Sequence, residues 1–244
     1  MSQTDARAAR LALERELPPE SIPLPAGFAD AVERFVGLLL DANRRVNLTR
    51  VVEPEAVARL HLLDSIAALP LIDAMAPRRA LDLGSGGGVP GLVLALARPG
   101  VSWTLVDSVR KKADALRSFA ADLGLRNVEV VAERAEVVGR DSQRRESYDV
   151  VTARACAALP VLAEYALPLV AVGGSLLAWK GRLADEELDA GAGAARLLGG
   201  GAPVVHPTGL EALGDHRFVV VPKSSLTPPA YPRRPGEPSR RPLA

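Results

Sequence analysis

Apolar positions in the first quarter of the chain recur at helical spacing. Leu11, Leu13 and Leu17 lie in one amphipathic stretch, which Pro18 and Pro19 end. Phe28, Val32, Phe35, Val36, Leu39 and Leu40 form a second helical stripe. Pro54 opens a third helix that runs through Leu69 and is closed by Pro70. A proline costs nothing in a first helical turn, where its missing N–H has no partner to lose.

From Ala80 the period changes. Short apolar runs at 80–84 (ALDLG), 103–107 (WTLVD), 128–131 (VEVV), 148–153 (YDVVTA) and 174–179 (GSLLAW) read as strands. Helical stretches at 90–97, 109–123, 134–138, 159–170 and 184–198 alternate with them. Two more strands, 203–205 and 217–221, have no long helix between them, so one is antiparallel. The expectation is an α/β fold, a doubly wound, mostly parallel sheet with an N-terminal helical extension. Residues 1–69 form the extension, 70–222 the sheet domain and 223–244 a basic, proline-rich tail that builds no regular element.

Composition narrows the choices. The 244 residues carry a net charge of +1, are 48 % hydrophobic and 24 % charged, as a folded globule is. Nucleic-acid binding by bulk charge is excluded, though a local basic patch is not. One cysteine, Cys156, rules out an internal disulfide, and with only three histidines no metal site is expected. The longest apolar stretch, 166–179, is too short to span a membrane and is interrupted by Pro168, Gly173 and Gly174. The N-terminus lacks the apolar run of a secretory signal, so a cytoplasmic location is expected.

LDLGSGGGVPG, residues 81–91, carries the clearest chemistry. Glycines there let the backbone turn sharply and approach a ligand. Gly86, Gly88 and Gly91 match the dinucleotide pattern G-x-G-x-x-G, but Pro90 falls inside it. Asp82, Gly84, Gly86 and Gly88 match the acid-then-G-x-G-x-G pattern of S-adenosyl-L-methionine sites without a gap. The acid suits a cofactor bearing an ammonium and a sulfonium. Asp107 ends the second strand, where a carboxylate reaches ribose hydroxyls or caps the next helix. Ala135 and Glu136 follow the third strand, beside the place of an adenine ring.

Arg154 follows the fourth strand without the Asn-Pro-Pro or Pro-Cys segments of amine- and carbon-methylating enzymes. An arginine there suits a reaction that needs charge and alignment rather than a base. Guanine N7, whose lone pair is already free, is such a target. Cys156, flanked by alanines, reads as packing. His61, Asp64 and Ser65 share a helix face and read first as helix contacts. Asn47 and Thr49 read as turn and cap residues, and Arg110, Lys111, Lys112 and Arg117 as a solvated face. Lys180, at a strand's carboxyl end, is a candidate for RNA phosphate contact.

Together these segments resemble one family, the bacterial small-subunit ribosomal RNA guanine-N7 methyltransferases (the RsmG, or glucose-inhibited division protein B, family). VNLTRV at 46–51, HLLDSI at 61–66, LDLGSGGGVPG at 81–91, LVDSVRKKADALR at 105–117 and RAE at 134–136 follow in family order. So do ARA at 153–155, LAWKG at 177–181 and the tail TPPAYPRRPGEPSRRPL at 227–243. Leu60 departs from the family's usual Arg or Lys before the histidine, and His216 then Arg217 depart from its usual order before the last strand.

The resemblance implies a Rossmann-like class I methyltransferase and makes Gly84, Val89, Ala135, Glu136 and Arg154 contacts of S-adenosyl-L-methionine. Asp107 would sit by the ribose. It implies 7-methylguanosine as product, in the decoding-region loop of 16S rRNA or of the 30S particle, and a link between loss of methylation and streptomycin resistance. Arg154 would be the catalytic residue, and Lys180, Arg233, Arg234, Arg240 and Arg241 would guide RNA by salt-sensitive phosphate contacts. A monomer is expected. A small-molecule methyltransferase of the same fold, an NAD-binding oxidoreductase and a non-catalytic RNA-binding module remain the alternatives.

Overall fold

The computed structural model describes residues 2–17 and 22–243. The helix stop assigned to Pro18 and Pro19 lies outside the described residues. Helices α1 (Ser2–Glu16) and α2 (Phe28–Asn43) follow the predicted stripes. All six apolar positions of the α2 stripe are buried. In α1 the buried face is made by Ala6, Ala9, Ala12 and Leu13, while Leu11 stays exposed.

The third helix departs from the expectation. It consists of α3 (Pro54–Val57), a π-helical turn (Ala58–Leu63) and α4 (Asp64–Ile66). It stops before Leu69, and Pro70 lies in the first turn of α5 (Leu69–Met75). Both prolines therefore start helices, where their missing N–H is harmless, and neither ends one.

Seven strands form a single sheet: β1 (Arg79–Leu83), β2 (Ser102–Val106), β3 (Val128–Val131), β4 (Tyr148–Arg154), β5 (Val170–Lys180), β6 (Val204–Pro207) and β7 (Arg217–Pro222). Their order is β3-β2-β1-β4-β5-β7-β6. The first five are parallel, and β7 runs antiparallel to both β5 and β6. Central strands covered on both faces read as apolar runs rather than as alternating patterns, which is why they stand out in the sequence. Helices α6 (Gly91–Ala97), α7 (Arg110–Asp122), α8 (Ala135–Val138), α9 (Leu159–Ala166) and α10 (Asp185–Leu197) make the crossovers.

Two boundaries are corrected. The helix expected over 159–170 ends at Ala166, and β5 begins at Val170 rather than at 174. Pro168 cannot donate a helical hydrogen bond. The early part of β5 pairs with Tyr148, then shifts register before Val150 meets Ser175. The tail also holds a one-turn helix, α11 (Glu237–Arg240), where no regular element was expected.

The N-terminal helices pack with α6 and α7 on one face of the sheet, in a core that includes Phe35, Leu62, Leu92, Trp103 and Phe218. Phe35 meets Phe119 edge to face at 6.3 Å, joining α2 to α7. The other face is covered by α8, α9 and α10 around Tyr148, Leu162 and Leu176. No helix among the described residues is long and apolar enough to cross a membrane.

Candidate active site

The sheet order reverses direction between β1 and β4, and a crevice opens there at the strands' carboxyl ends, the place where open α/β sheets bind ligands. Leaving β1, Gly84 and Ser85 both donate their N–H groups to the Val106 carbonyl, at 2.8 and 3.0 Å. Gly84 and Gly86 have φ of +70° and +55°, in the left-handed region that favours glycine. A Cβ on Gly84 would also stand 2.4 Å from Cys156 Sγ, so the turn is pressed against the end of β4.

Asp107, just beyond β2, braces this turn. Its Oδ2 accepts the Gly86 N–H at 2.9 Å and its Oδ1 accepts the Val109 N–H at 2.8 Å, which leads the chain into α7. Asp107 thus shapes the turn before α7 and does not cap it, since the N-cap is Val109; the same carboxylate borders a cavity of about 300 Å³. Gly84, Asp107, Ala135 and Glu136, four of the predicted cofactor residues, line it together with Arg134, Ala155, Cys156 and Tyr165. The Glu136 side chain is only 2 % exposed; it accepts from Arg134 Nη2 at 3.0 Å and from the Gly236 N–H at 2.7 Å. Desolvation opposes the charge on Glu136, but these two donors outweigh it and hold the carboxyl below its ordinary value.

Other predicted cofactor residues stand elsewhere. Asp82 lies under the turn, fully buried, with Oδ1 accepting from Thr152 Oγ1 at 2.8 Å and Oδ2 without a hydrogen-bond partner. Burial pushes its carboxyl up to about 6. The physical reason is strand geometry: Asp82 points into the layer beneath the turn, toward Gly91, and not into the cavity. Val89 is packed into the core, and Gly86 and Gly88 shape the turn without lining the cavity.

Arg154 belongs to a second cavity of about 480 Å³ that shares Ala155 and Cys156 with the first. There it meets the 61–65 helix face, which the sequence left as packing. Arg154 Nη1 donates to the Leu60 carbonyl at 2.5 Å and to Asp64 Oδ2 at 3.1 Å, and Nη2 approaches His61 Nδ1 at 3.4 Å. The π-helical turn makes this possible. Asp64 N–H bonds to the Arg59 carbonyl instead of that of Leu60, so the Leu60 carbonyl is free to accept from Arg154.

Asp64, 3 % exposed at its side chain, also takes His216 Nδ1 on Oδ1 at 2.9 Å, and its carbonyl accepts from Trp179 Nε1 at 2.9 Å. His61 reaches Thr49 Oγ1 at 2.7 Å. Burial first, and the Arg154 charge second, push His61 down to about 4, so the ring is neutral near pH 7. Thr49 thus holds the His61 ring in addition to shaping its turn. In the sequence His216 stood out only as a departure from the family's order before the last strand. Only the antiparallel course of β7, which brings its first residues to the carboxyl rim, places His216 there.

Cys156 donates to the Leu83 carbonyl at 2.8 Å, and burial pushes its thiol up to about 12. Lys180 lines the second cavity, but its Nζ is held by Glu187 at 2.7 Å and by the Ala157 carbonyl at 2.9 Å. In the tail, Arg233 turns inward onto Glu164, whereas Arg234, Arg240 and Arg241 are exposed. An arginine spent on a buried carboxylate is not free for phosphate, so Arg233 leaves the set of expected RNA contacts.

Comparison with known proteins decides what this geometry belongs to. The family model described as rRNA small subunit methyltransferase G (GidB) matches residues 29–207, most of the chain. The chain belongs to that family. Relatives named ribosomal RNA small subunit methyltransferase G include one from Deinococcus radiodurans, 47 % identical over 86 % of this chain and 83 % of its own length. Another, from Moorella thermoacetica, is 40 % identical over 93 % and 92 %. Among solved structures, the CurJ carbon methyltransferase is similar in fold, with TM-score 0.55 and 18 % identity over 91 % of this chain and 68 % of that one.

The cofactor of the family is S-adenosyl-L-methionine. The residues of this chain fit it. Gly84, Asp107, Ala135 and Glu136 line one cavity together, and Gly84 must stay bare backbone because a Cβ there would strike Cys156.

Proposed function

We propose that this chain, by family an S-adenosyl-L-methionine-dependent rRNA methyltransferase, methylates guanine N7 in the decoding-region loop of 16S rRNA. The observation that carries the N7 assignment is that the groups around Arg154, namely His61, Asp64 and Cys156, offer no ready base. His61 is held neutral with its basicity suppressed. Both Asp64 oxygens already accept hydrogen bonds, from Arg154 and from His216. The Cys156 thiol is not ionised near pH 7. A site of this kind suits an acceptor whose lone pair needs no deprotonation, and guanine N7 is one.

The Gly84–Gly88 turn would take the methionine end of the cofactor, Asp107 the ribose diol, and Ala135 with Glu136 the adenine. The cofactor supplies an electrophilic methyl on a sulfonium. Arg154, at the junction of the two cavities, offers N–H groups to guanine O6, the acceptor beside N7 on the same edge. Methyl transfer to N7 leaves a positive charge on the purine. Asp64 offsets the Arg154 guanidinium at 3.1 Å, so the pocket does not set a bare cation against that charge. Exposed Arg234, Arg240 and Arg241 remain candidates for phosphate contact. The substrate is the 16S rRNA or the 30S particle, the working unit is the monomer, and the location is the cytoplasm.

Purified protein is incubated with labelled S-adenosyl-L-methionine and 30S subunits lacking this modification, and 7-methylguanosine is mapped by chemical cleavage. One new cut in the decoding-region loop supports the reading. Labelling at another atom or another loop overturns it.

A further inference from the structure

The tail, read from its sequence as an RNA-guiding arm, is fastened along its length to the back of the cofactor cavity. Lys223 Nζ is fully buried and donates at 2.9 Å each to the Leu167 and Leu198 carbonyls, at the ends of α9 and α10. Arg145 reaches forward to the Thr227 and Tyr231 carbonyls, both at 2.8 Å. Arg233 then grips Glu164 of α9, with Nη2 to Oε2 at 2.5 Å and Nε to Oε1 at 2.9 Å. Glu164 is completely buried, so this is an internal ion pair and not a surface one. Next, the Gly236 N–H lands on Glu136 Oε1 at 2.7 Å, sharing that oxygen with Arg134. Ser239 Oγ donates to the Gly236 carbonyl at 3.2 Å. Three of the side chains engaged here or next to these contacts, Arg134, Glu136 and Tyr165, are walls of the 300 Å³ cavity.

We propose that residues 231–241 are a clamp that sets affinity for the adenosine part of the cofactor, with Arg233 and Gly236 as positioning residues. They act through Glu136 and leave RNA affinity to other groups. The chain of contacts gives the reason. Glu136 sits in the one-turn helix α8, too short to hold a fixed position by itself. It is fixed instead by a donor from the tail, and the tail is fixed by the Arg233–Glu164 pair. The proposal rests on the placement of adenine beside Ala135 and Glu136.

The test is made on full-length Arg233→Met, with S-adenosylhomocysteine and 5′-methylthioadenosine titrated by calorimetry. The second ligand keeps adenine and ribose but lacks the amino-acid end. Affinity for both is expected to fall by the same factor, about tenfold, the worth of one charge-assisted hydrogen bond. Affinity for a 16S rRNA fragment is expected to stay within about twofold of the parent, because Arg233 makes no contact outside the fold.

If Arg233→Met does not fold, the neutral pair Glu164→Gln with Arg233→Met removes the buried charge and is titrated in its place. Arg233→Lys, which keeps the charge but loses the fork, is expected to restore most of the affinity. Unchanged cofactor affinity in a folded variant overturns the clamp, as does a loss confined to RNA, which would return the tail to the role of a phosphate arm. A loss seen with S-adenosylhomocysteine but not with methylthioadenosine overturns it too. Ala135→Trp separates the underlying placement: it blocks both ligands if adenine lies there, and retained binding would fault the placement and not the clamp.

Discussion

Asp82→Asn tests how the buried acid beneath the glycine turn is held. Asp82 is wholly shielded from solvent, and a single hydroxyl, that of Thr152, is its side-chain donor at 2.8 Å. Burial pushes the carboxyl up to about 6 in the fold, against about 4 in an unfolded chain. Two units at about 1.4 kcal/mol each make about 3 kcal/mol. The sign follows from proton counting. Between about pH 4 and pH 6 the folded protein binds the proton more than the unfolded chain does, so stability falls as pH rises through this window. Below about pH 4 this group takes nothing from stability, and above about pH 6 the full cost is present.

Asn cannot titrate. The stability of D82N minus that of the parent should therefore rise by about 3 kcal/mol between about pH 4 and pH 7.5, whatever constant offset the amide introduces. Urea unfolding at four pH values in that range, with linear extrapolation for both proteins, measures this difference. A difference that stays level with pH would mean that Asp82 titrates alike in both states, and the burial argument would be wrong. A difference that falls would mean that a positive partner reaches Asp82 in solution.

Other consequences are open to measurement. Asp64→Asn strands the Arg154 guanidinium; turnover is expected to drop about a hundredfold and stability by about 3 kcal/mol, with S-adenosylhomocysteine affinity retained in calorimetry. Gly84→Ala places a methyl where Cys156 Sγ already stands, on a backbone with φ of +70°, and is expected to weaken cofactor binding. Adding Cys156→Ala should restore only part of that binding, since the left-handed backbone still costs about 1 kcal/mol. With its thiol pushed up to about 12, Cys156 should resist iodoacetamide at about pH 8, where only about one thiol in ten thousand is ionised; rapid labelling of the native protein would contradict the burial.

Much of this site was legible in the chain because its chemistry is local. The glycine turn, Asp107 and the Ala135–Glu136 pair each follow a strand directly, so placing the strands placed the residues. Asp82 was misdirected because pattern matching gives position along a strand but not which layer a side chain enters. The pairing of Asp64 with Arg154, 90 positions apart, and with His216, 152 positions apart, leaves no trace in local spacing. The tail misled for a different reason. Proline content and net charge describe a segment in isolation, whereas Arg145, Glu146 and Glu164, lying far upstream, decide where it rests.

The π-helical turn has a bearing on how the chain tolerates insertion and deletion. A π turn holds one residue more than the α-helix it interrupts. Deleting a single exposed residue within it, such as Arg59, would let the helix close into regular α geometry with little loss of buried surface. The flanking helical turns would keep their phase, because the π turn and the α turn each complete one turn, the first with one residue more. Asp64 would still face Arg154 and His216, but the Leu60 carbonyl would be reclaimed by the helix and lost to Arg154. The extra residue therefore acts as a spacer that keeps one backbone carbonyl open, and a protein shortened there would fold while Arg154 lost that anchor.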